Sequence, residues 1–415
     1  LFYDLYIYEG YSRREAIENI FAKNLRGVDL DTRAKQLATF ALMLKACQKD
    51  ASFADAHILP HVLSMPTPIP QEKVGEYLQK FFRETPSRQQ LADLTAAFEL
   101  MQDADSLGSI MKFDVAESTL LSMQQTLNYW QHEQFVPEEV ENILPEMELI
   151  LTLTDKYAAL VMNPPYMGNG NMNKVLSDYV KDNYSEGKAD LCTTFMIMQA
   201  QRSARGGYYA NIVPPSWMFL STFEGLRRSV IDNQTISSLL HLSRGVFGAD
   251  FGSVSTVIKN YKTKNAKGTY FRLIERTFQE FDQKHLQMLF EKTLANHDFK
   301  YYFADYTKDV ADIEYNENGA KIYYPNVEQS NFEKIPGCPL GYWVGESYQN
   351  IFIGDTLSEH SFSDGKNVTG DNEKYIKLLW EVSANRIGKG RKWMLQTKGG
   401  DARRWYGNTL NVIAW

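Results

Sequence analysis

Apolar positions near the start of the chain recur at helical spacing, give way to a short extended run, and then recur at helical spacing again. Ser12 followed by Glu15 is a capping-box pattern, and it predicts a helix through about Asn24 with Ala16, Ile17, Ile20 and Phe21 on one face. Leu25 to Asp29 reads as a short strand. Asp31 suits the N-cap of a following helix whose apolar series is Leu37, Phe40, Ala41 and Leu44. The unit is therefore α-β-α, with an acidic residue at the strand's carboxyl end.

From His57 to Gln71, the prolines Pro60, Pro66, Pro68 and Pro70 exclude a continuous helix or central strand and predict a connection. A polar helical region follows, to roughly Glu148. Tyr157 to Met162 is an unbroken apolar run of strand length that stops at Asn163-Pro164-Pro165, as a buried parallel strand entering a rigid loop would. Asp190 predicts a helix to about Ala204, ended by Gly206-Gly207, with strands at Tyr208 to Val213, Ile236 to Leu242 and Val254 to Lys259. Alternating strands and helices imply an α/β, doubly wound sheet that binds ligands at the carboxyl ends of its strands, where Asp29 and Asn163 both fall. Beyond about residue 262 the alternation fades, and a charged helix is expected near Thr277 to Ala295. Five of the seven tryptophans lie after residue 340, beside the basic run Arg386, Lys389, Arg391 and Lys392, so a second domain is expected there.

A length of 415 residues implies two to three domains, and 44% hydrophobic with 23% charged residues is an ordinary globular balance. No apolar run reaches the roughly 18 residues of a membrane span. Cys47, Cys192 and Cys338 are scattered and form no CxxC pair, which argues against a disulfide framework or a zinc site and fits a reducing cytoplasm. The net charge of -7 offers no global attraction to nucleic acid, so contact with DNA requires a local basic face. With Leu1 in place of Met and an apolar, strand-like finish from Leu410 to Trp415, both ends read as cut, and no signal peptide is visible.

Asn163-Pro164-Pro165-Tyr166 carries chemistry that can be argued atom by atom. An exocyclic amine conjugated to a purine is a poor nucleophile until its protons are hydrogen-bonded to acceptors that favour a pyramidal nitrogen. The Asn163 side-chain carbonyl supplies one acceptor, and the Pro164 backbone carbonyl, stiffened by the Pro-Pro pair, supplies the other. Tyr166 offers a flat face on which an extruded base can stack. The same four residues also make an ordinary turn after a strand. Asp29 could accept hydrogen bonds from the ribose hydroxyls of a nucleotide-like cofactor, or serve as a solvated loop acid. The glycine-rich loop that such a sheet carries after its first strand is not present, and Gly168-Asn169-Gly170 follows the wrong strand to replace it.

With Gly27-Val28-Asp29-Leu30-Asp31 before a helix and Asn-Pro-Pro-Tyr after a strand, the chain resembles the γ-type adenine-N6 DNA methyltransferases. Leu25 to Ala46, Asn163 to Gly170, Lys334-Ile335-Pro336-Gly337-Cys338-Pro339, and Lys398-Gly399-Gly400 through Trp405-Tyr406-Gly407-Asn408 resemble in particular the PglX-type methyltransferases of BREX phage-defence systems. The resemblance implies a Rossmann-like, S-adenosylmethionine-dependent methyltransferase sheet with helices on both faces, followed by a mixed α+β target-recognition domain. It divides the chain into a catalytic domain at 1–262, lacking its first strand and glycine-rich loop and with a helical insertion at about 50–150, a helical connector at 263–330, and the start of the recognition domain at 331–415. It further implies that Asp29 binds the cofactor ribose and that Asp103 lies near the cofactor adenine. Asn163, Pro164, Pro165 and Tyr166 would hold the target adenine, and Phe247 would pack against it. Arg386, Lys389, Arg391, Lys392, Lys398, Arg403 and Arg404 are the candidate contacts to double-stranded DNA, with other phage-defence subunits as further partners.

Two rival readings remain. One is methylation of RNA or of a protein glutamine amide, because the tetrapeptide suits any planar amine; a basic, aromatic C-terminal segment argues for the nucleic acid. The other is a non-catalytic DNA-binding or assembly subunit, against which the pairing of Asp29 with Asn163-Pro164-Pro165-Tyr166 weighs.

Overall fold

A computed structural model describes residues 1–244, 246, 252–275, 281, 283–303, 313–355, 357–360, 370–397, 399, 402 and 407–414. Two compact units emerge, Leu1–Ile353 and Gly354–Trp415.

The larger unit opens on helices, and its first strand is β1 (Gly27–Asp29). Ser12 caps the helix Arg13–Asn19 with both arms of the capping box in place, and Ala16, Ile17 and Phe21 of its apolar series are buried. Asp31 caps Thr32–Lys49 by accepting from the Arg33 backbone N–H at 2.7 Å. The proline-flanked segment expected to be a plain connection holds a three-residue strand, β2 (Val62–Ser64), which pairs in parallel with β1. Pro60 and Pro66 lie outside it, so none of its ladder donors is lost.

Helices at Gln71–Phe81, Arg88–Met101, Glu117–Trp130 and Glu138–Thr154 then build a core around Leu78, Phe81, Phe98, Met123 and Ile150. The last of them delivers β3 (Tyr157–Met162), the apolar run read from the sequence. Next come β4 (Ser203–Val213), β5 (Thr235–Arg244), β6 (Gly252–Lys259) and β7 (Lys267–Arg272). A short ribbon of β8 (Lys300–Tyr301) and β9 (Ala320–Lys321) precedes β10 (Tyr323–Glu328). The main sheet has the order β10-β7-β5-β6-β4-β3. It is mixed: β3 and β4 are parallel, as are β5 and β7, whereas β6 runs antiparallel to both β4 and β5. One face packs Tyr209, Leu239 and Ile258 with Leu226 and Val230 of the helix Glu224–Asn233, and the other packs Phe271 and Leu273 with Leu286 and Leu289 of the helix Gln283–Ala295.

Three expectations need correction. Gly206 and Gly207 do not end the preceding helix, which stops at Arg202; they lie inside β4, where the register against β3 shifts. Gly206 has φ +82°, and a Cβ at Gly207 would sit 2.8 Å from the Ala158 carbonyl oxygen, so the strand needs glycine for a close backbone approach. Residues 263–330, expected as a helical connector, extend the main sheet through β7 and β10, and the compact units divide after Ile353 instead of near 331. Finally, Tyr157–Met162, expected as a buried strand, is partly exposed, and Leu37 and Phe40 of the apolar series in Thr32–Lys49 are 69% and 61% exposed. Val161 of β3 is likewise 81% exposed, because among the described residues β3 is an edge of its sheet.

The sheet is in fact interrupted. β1 and β2 form their own two-stranded sheet, yet Val28 and Leu63 from it and Met162 from β3 pack against the same core. A cavity of about 740 Å³ opens at the amino ends of these strands, lined among others by Arg26 and His61, which precede β1 and β2, and by Leu151 and Tyr157.

The smaller unit is a three-stranded antiparallel sheet of β11 (Ile376–Leu378), β12 (Trp393–Gln396) and β13 (Asn411–Ala414), with β13 in the middle. Two short helices, Leu357–His360 and Asn372–Tyr375, belong to the same unit.

Candidate active site

The chain leaves β3 at Met162, which pairs with Asn211 of β4, and turns through Asn163-Pro164-Pro165-Tyr166. Pro164 is buried, Asn163 and Pro165 are exposed, and Tyr166 is half-buried against the core between the sheet and its helices. The Tyr166 hydroxyl lies 2.8 Å from Asn163 Oδ1 and 2.9 Å from the Ile212 carbonyl oxygen, so the loop is braced on the neighbouring strand. Two prolines fix φ through the turn and remove two backbone donors, so the turn is rigid. Asn163 Oδ1 has two acceptor positions, so one hydrogen bond from Tyr166 leaves a second for an incoming donor. Burial pushes the Tyr166 hydroxyl above its ordinary range, with a smaller push from Cys192, and keeps it a neutral donor.

Asp190 was read from the sequence as a helix cap only, yet it also shapes this loop. Its Oδ1 accepts from Cys192 N–H at 3.0 Å, capping Leu191–Arg202, and from Met167 N–H at 3.3 Å. Met167 O accepts from Leu191 N–H at 2.9 Å, and Ala189 O accepts from Asn169 N–H at 3.0 Å. The segment after Tyr166 is thus stapled to a helix start. A distant partner of this kind leaves no local signal beyond the cap itself. The Cys192 thiol beside it is pushed far up by burial and is no nucleophile.

At the carboxyl end of β1, Asp29 is exposed, and its Oδ1 accepts from Asp31 N–H at 2.9 Å in a tight turn. Among the described residues Oδ2 carries no hydrogen bond. Asp31 is committed elsewhere: Arg33 donates to it from its backbone and its guanidinium, which draws the Asp31 carboxyl down to about 2. Asp103, also exposed, starts the short helix Ala104–Leu107 without capping it. No strand leads into it; the helix Arg88–Met101 does. The segment nevertheless reaches the site, because Leu30 Cδ1 lies 3.7 Å from the Cβ position of Gly108, and Ser106 Oγ accepts from Asn173 Nδ2 at 3.0 Å. Asp29, the 103–108 segment and the loop after Asn163 therefore lie along one end of the fold.

Phe247 lies outside the described residues, as do Lys398, Arg403 and Arg404. Arg386, Lys389, Arg391 and Lys392 are all exposed on one tight turn leading into β12, in the smaller unit. That turn closes through Gly388 N–H to Trp393 O at 2.8 Å and Arg391 N–H to Gly388 O at 3.0 Å, with Gly388 and Gly390 at positive φ. Among the described residues no group of three or more His, Cys, Asp or Glu could hold a metal, and no helix is long and apolar enough to cross a membrane.

Asn163-Pro164-Pro165-Tyr166 thus follows β3 of the main sheet, and Asp29 ends β1 of the two-stranded sheet. The chain belongs to the Eco57I restriction-modification methylase family, whose model matches residues 23–247. It is 28% identical over 443 aligned residues to the adenine-specific methyltransferase PglX of Lacticaseibacillus casei strain Zhang, covering 99% of this chain and 33% of that protein. Against the adenine-specific methyltransferase BrxX of Escherichia coli O9:H4 strain HS, identity is 27% over 442 residues, covering 98% and 34%. The chain thus spans about a third of the length of these relatives. Among solved structures, the M protein of the type I restriction enzyme EcoKI superposes at a TM-score of 0.30 with 15% identity, covering 86% of this chain and 88% of that one.

Proposed function

We propose that this chain carries the target-base pocket of a DNA adenine-N6 methyltransferase acting in phage defence. The observation that carries the reading is the braced loop, in which Asn163 keeps one acceptor open beside Tyr166 and a rigid Pro-Pro carbonyl. In this reading an adenine leaves the duplex, stacks on Tyr166, and donates its two N6 protons to Asn163 Oδ1 and to the Pro164 carbonyl oxygen. Those bonds localise the nitrogen lone pair for attack, and one proton is then lost to solvent. S-adenosylmethionine supplies the electrophilic methyl group.

The residues at this end of the fold suit that cofactor. Asp29 Oδ2 at the end of β1 is placed to accept from a ribose hydroxyl, and Asp103 belongs to the segment beside it. Phe247 is the second aromatic against the base. The basic turn Arg386 to Lys392, with Lys398, Arg403 and Arg404, supplies cations for phosphates of double-stranded DNA, and other subunits of the defence system are its protein partners.

In the complete protein, Asn163→Ala should abolish methyl transfer from labelled S-adenosylmethionine to DNA while sparing duplex binding. Retained N6-methyladenine in that variant would refute the reading, and methylation of RNA or a glutamine peptide in place of DNA would redirect it.

A further inference from the structure

The motif Lys334 to Pro339 has no part in the mechanism above, yet the structure gives it an unusual anchor. Arg227, 1% exposed, directs its guanidinium at backbone carbonyls: Nε and Nη2 donate to Gly337 O at 3.0 and 2.7 Å, and Nη1 donates to Trp217 O at 2.8 Å and Leu220 O at 2.7 Å. Gly337 and Cys338 take positive φ to turn the strap around this group, and Leu340 N–H donates to Met218 O at 2.9 Å. The strap is thereby fixed to the segment that leaves β4 just after Ile212, the residue that braces Tyr166.

What the strap delivers is a pair of aromatic side chains. Tyr342 is buried and stacks on Tyr270 at 4.7 Å and 17°. Trp343 stays half-buried, edge-to-face with Phe219 at 5.7 Å, while the Arg272 guanidinium lies 4.5 Å over the Trp343 ring. Phe219 is exposed, unlike its neighbours Trp217 and Met218. Val213, at the end of β4, pairs with Val254, which pairs with His241, and the His241 ring lies 6.3 Å from Trp343 and 6.2 Å from Phe219. The two rings therefore stand at the same end of the sheet as the Asn163 loop.

We propose that Phe219 and Trp343, backed by Arg272, form a second stacking surface that holds a nucleobase next to the extruded adenine. This deepens the reading above and rests on it. An adenine leaving the duplex strips its neighbours of a stacking partner, and a half-open indole and phenyl pair beside the pocket replaces that contact at low conformational cost. A cation over the indole makes it a firmer platform, and it does not compete for phosphate there, because Arg272 Nη2 also donates to Glu275 O at 3.0 Å. Stacking of this kind tolerates any base, so it contributes affinity without sequence preference.

The test uses the complete protein and duplexes carrying its methylated site, with 2-aminopurine or 5-iodouracil at positions beside the target. Trp343→Ala and Phe219→Ala should each weaken duplex binding about tenfold, within the range for one base-aromatic contact. They should also change the fluorescence of the flanking 2-aminopurine, whereas Trp343→Phe keeps most of both. Irradiated 5-iodouracil should crosslink to the peptide holding Trp343 or Phe219. Affinity for S-adenosylmethionine should not move; its loss with duplex binding intact would overturn the proposal in favour of a cofactor surface. Unaltered duplex affinity and flanking fluorescence in both Ala variants, with no crosslink, would overturn it outright. If Trp343→Ala unfolds, the exposed Phe219→Ala and the crosslink decide alone. Asn163→Ala, assayed in parallel, separates failure of this surface from failure of the methyltransferase reading.

Discussion

Glu146 should make this protein lose stability as pH rises through neutrality. It lies in the helix Glu138–Thr154 among Ile143, Met147, Leu149 and Ile150, it is 1% exposed, and among the described residues neither carboxylate oxygen has a side-chain or distant hydrogen-bond partner. Burial, only slightly offset by its own backbone N–H, raises the carboxyl from 4.5 to about 8. Below the unfolded value both states hold the proton and ionisation costs nothing. Between the two values the unfolded chain has released its proton while the folded chain retains it, so stability falls with a slope of about 1.4 kcal/mol per pH unit. At pH 7 the accumulated loss is on the order of 3 kcal/mol, a large share of an ordinary domain's stability. Glu146→Gln removes the ionisation and keeps the unpaired polar group, and Glu146→Leu removes both. The advantage of each variant over the parent should grow by about 3 kcal/mol between roughly pH 5 and 7.5. Urea unfolding followed by circular dichroism at several pH values, with equal m-values as a check, measures it. A difference between parent and variants that stays constant with pH would refute the reasoning. The matter bears on function because this helix leads straight into β3 and the Asn163 loop.

Two contrasts test other parts of the structure. Phe98, fully buried in the helical core, should cost about 3 to 5 kcal/mol as Phe98→Ala, whereas Phe40→Ser, at a largely exposed position, should shift the urea midpoint of this chain by little; equal losses would contradict the burial pattern. Replacing Lys389, Arg391 and Lys392 together by Ala should weaken duplex binding for all sequences alike and reduce the slope of log affinity against log salt by about 3, and an unchanged slope would remove this turn from the DNA face.

How far the sequence could be read depended on whether a residue's partner is near in the chain. Ser12 with Glu15, Asp31 with Arg33, and the apolar run Tyr157 to Met162 ending at two prolines are local patterns, and each appears where the pattern put it. The site divides in the same way: the Asn163 to Tyr166 turn is legible, but its bracing by Ile212 and Asp190 is not, because those partners are reached only after the sheet has formed. Gly206-Gly207 resembles a helix stop until Ala158 is brought against Gly207, and β2 resembles a proline-rich loop until β1 pairs with it. β7 and β10 were missed for the same reason, since their register joins segments far apart in sequence. The exposed apolar positions are a different case. Val161 sits on a strand whose every residue is apolar, a composition that is stable in water only with both faces and both edges covered. An apolar run states that something packs there without stating what. At β3, an edge of its sheet among the described residues, an extended segment with backbone donors and acceptors of its own is the partner that would cover it.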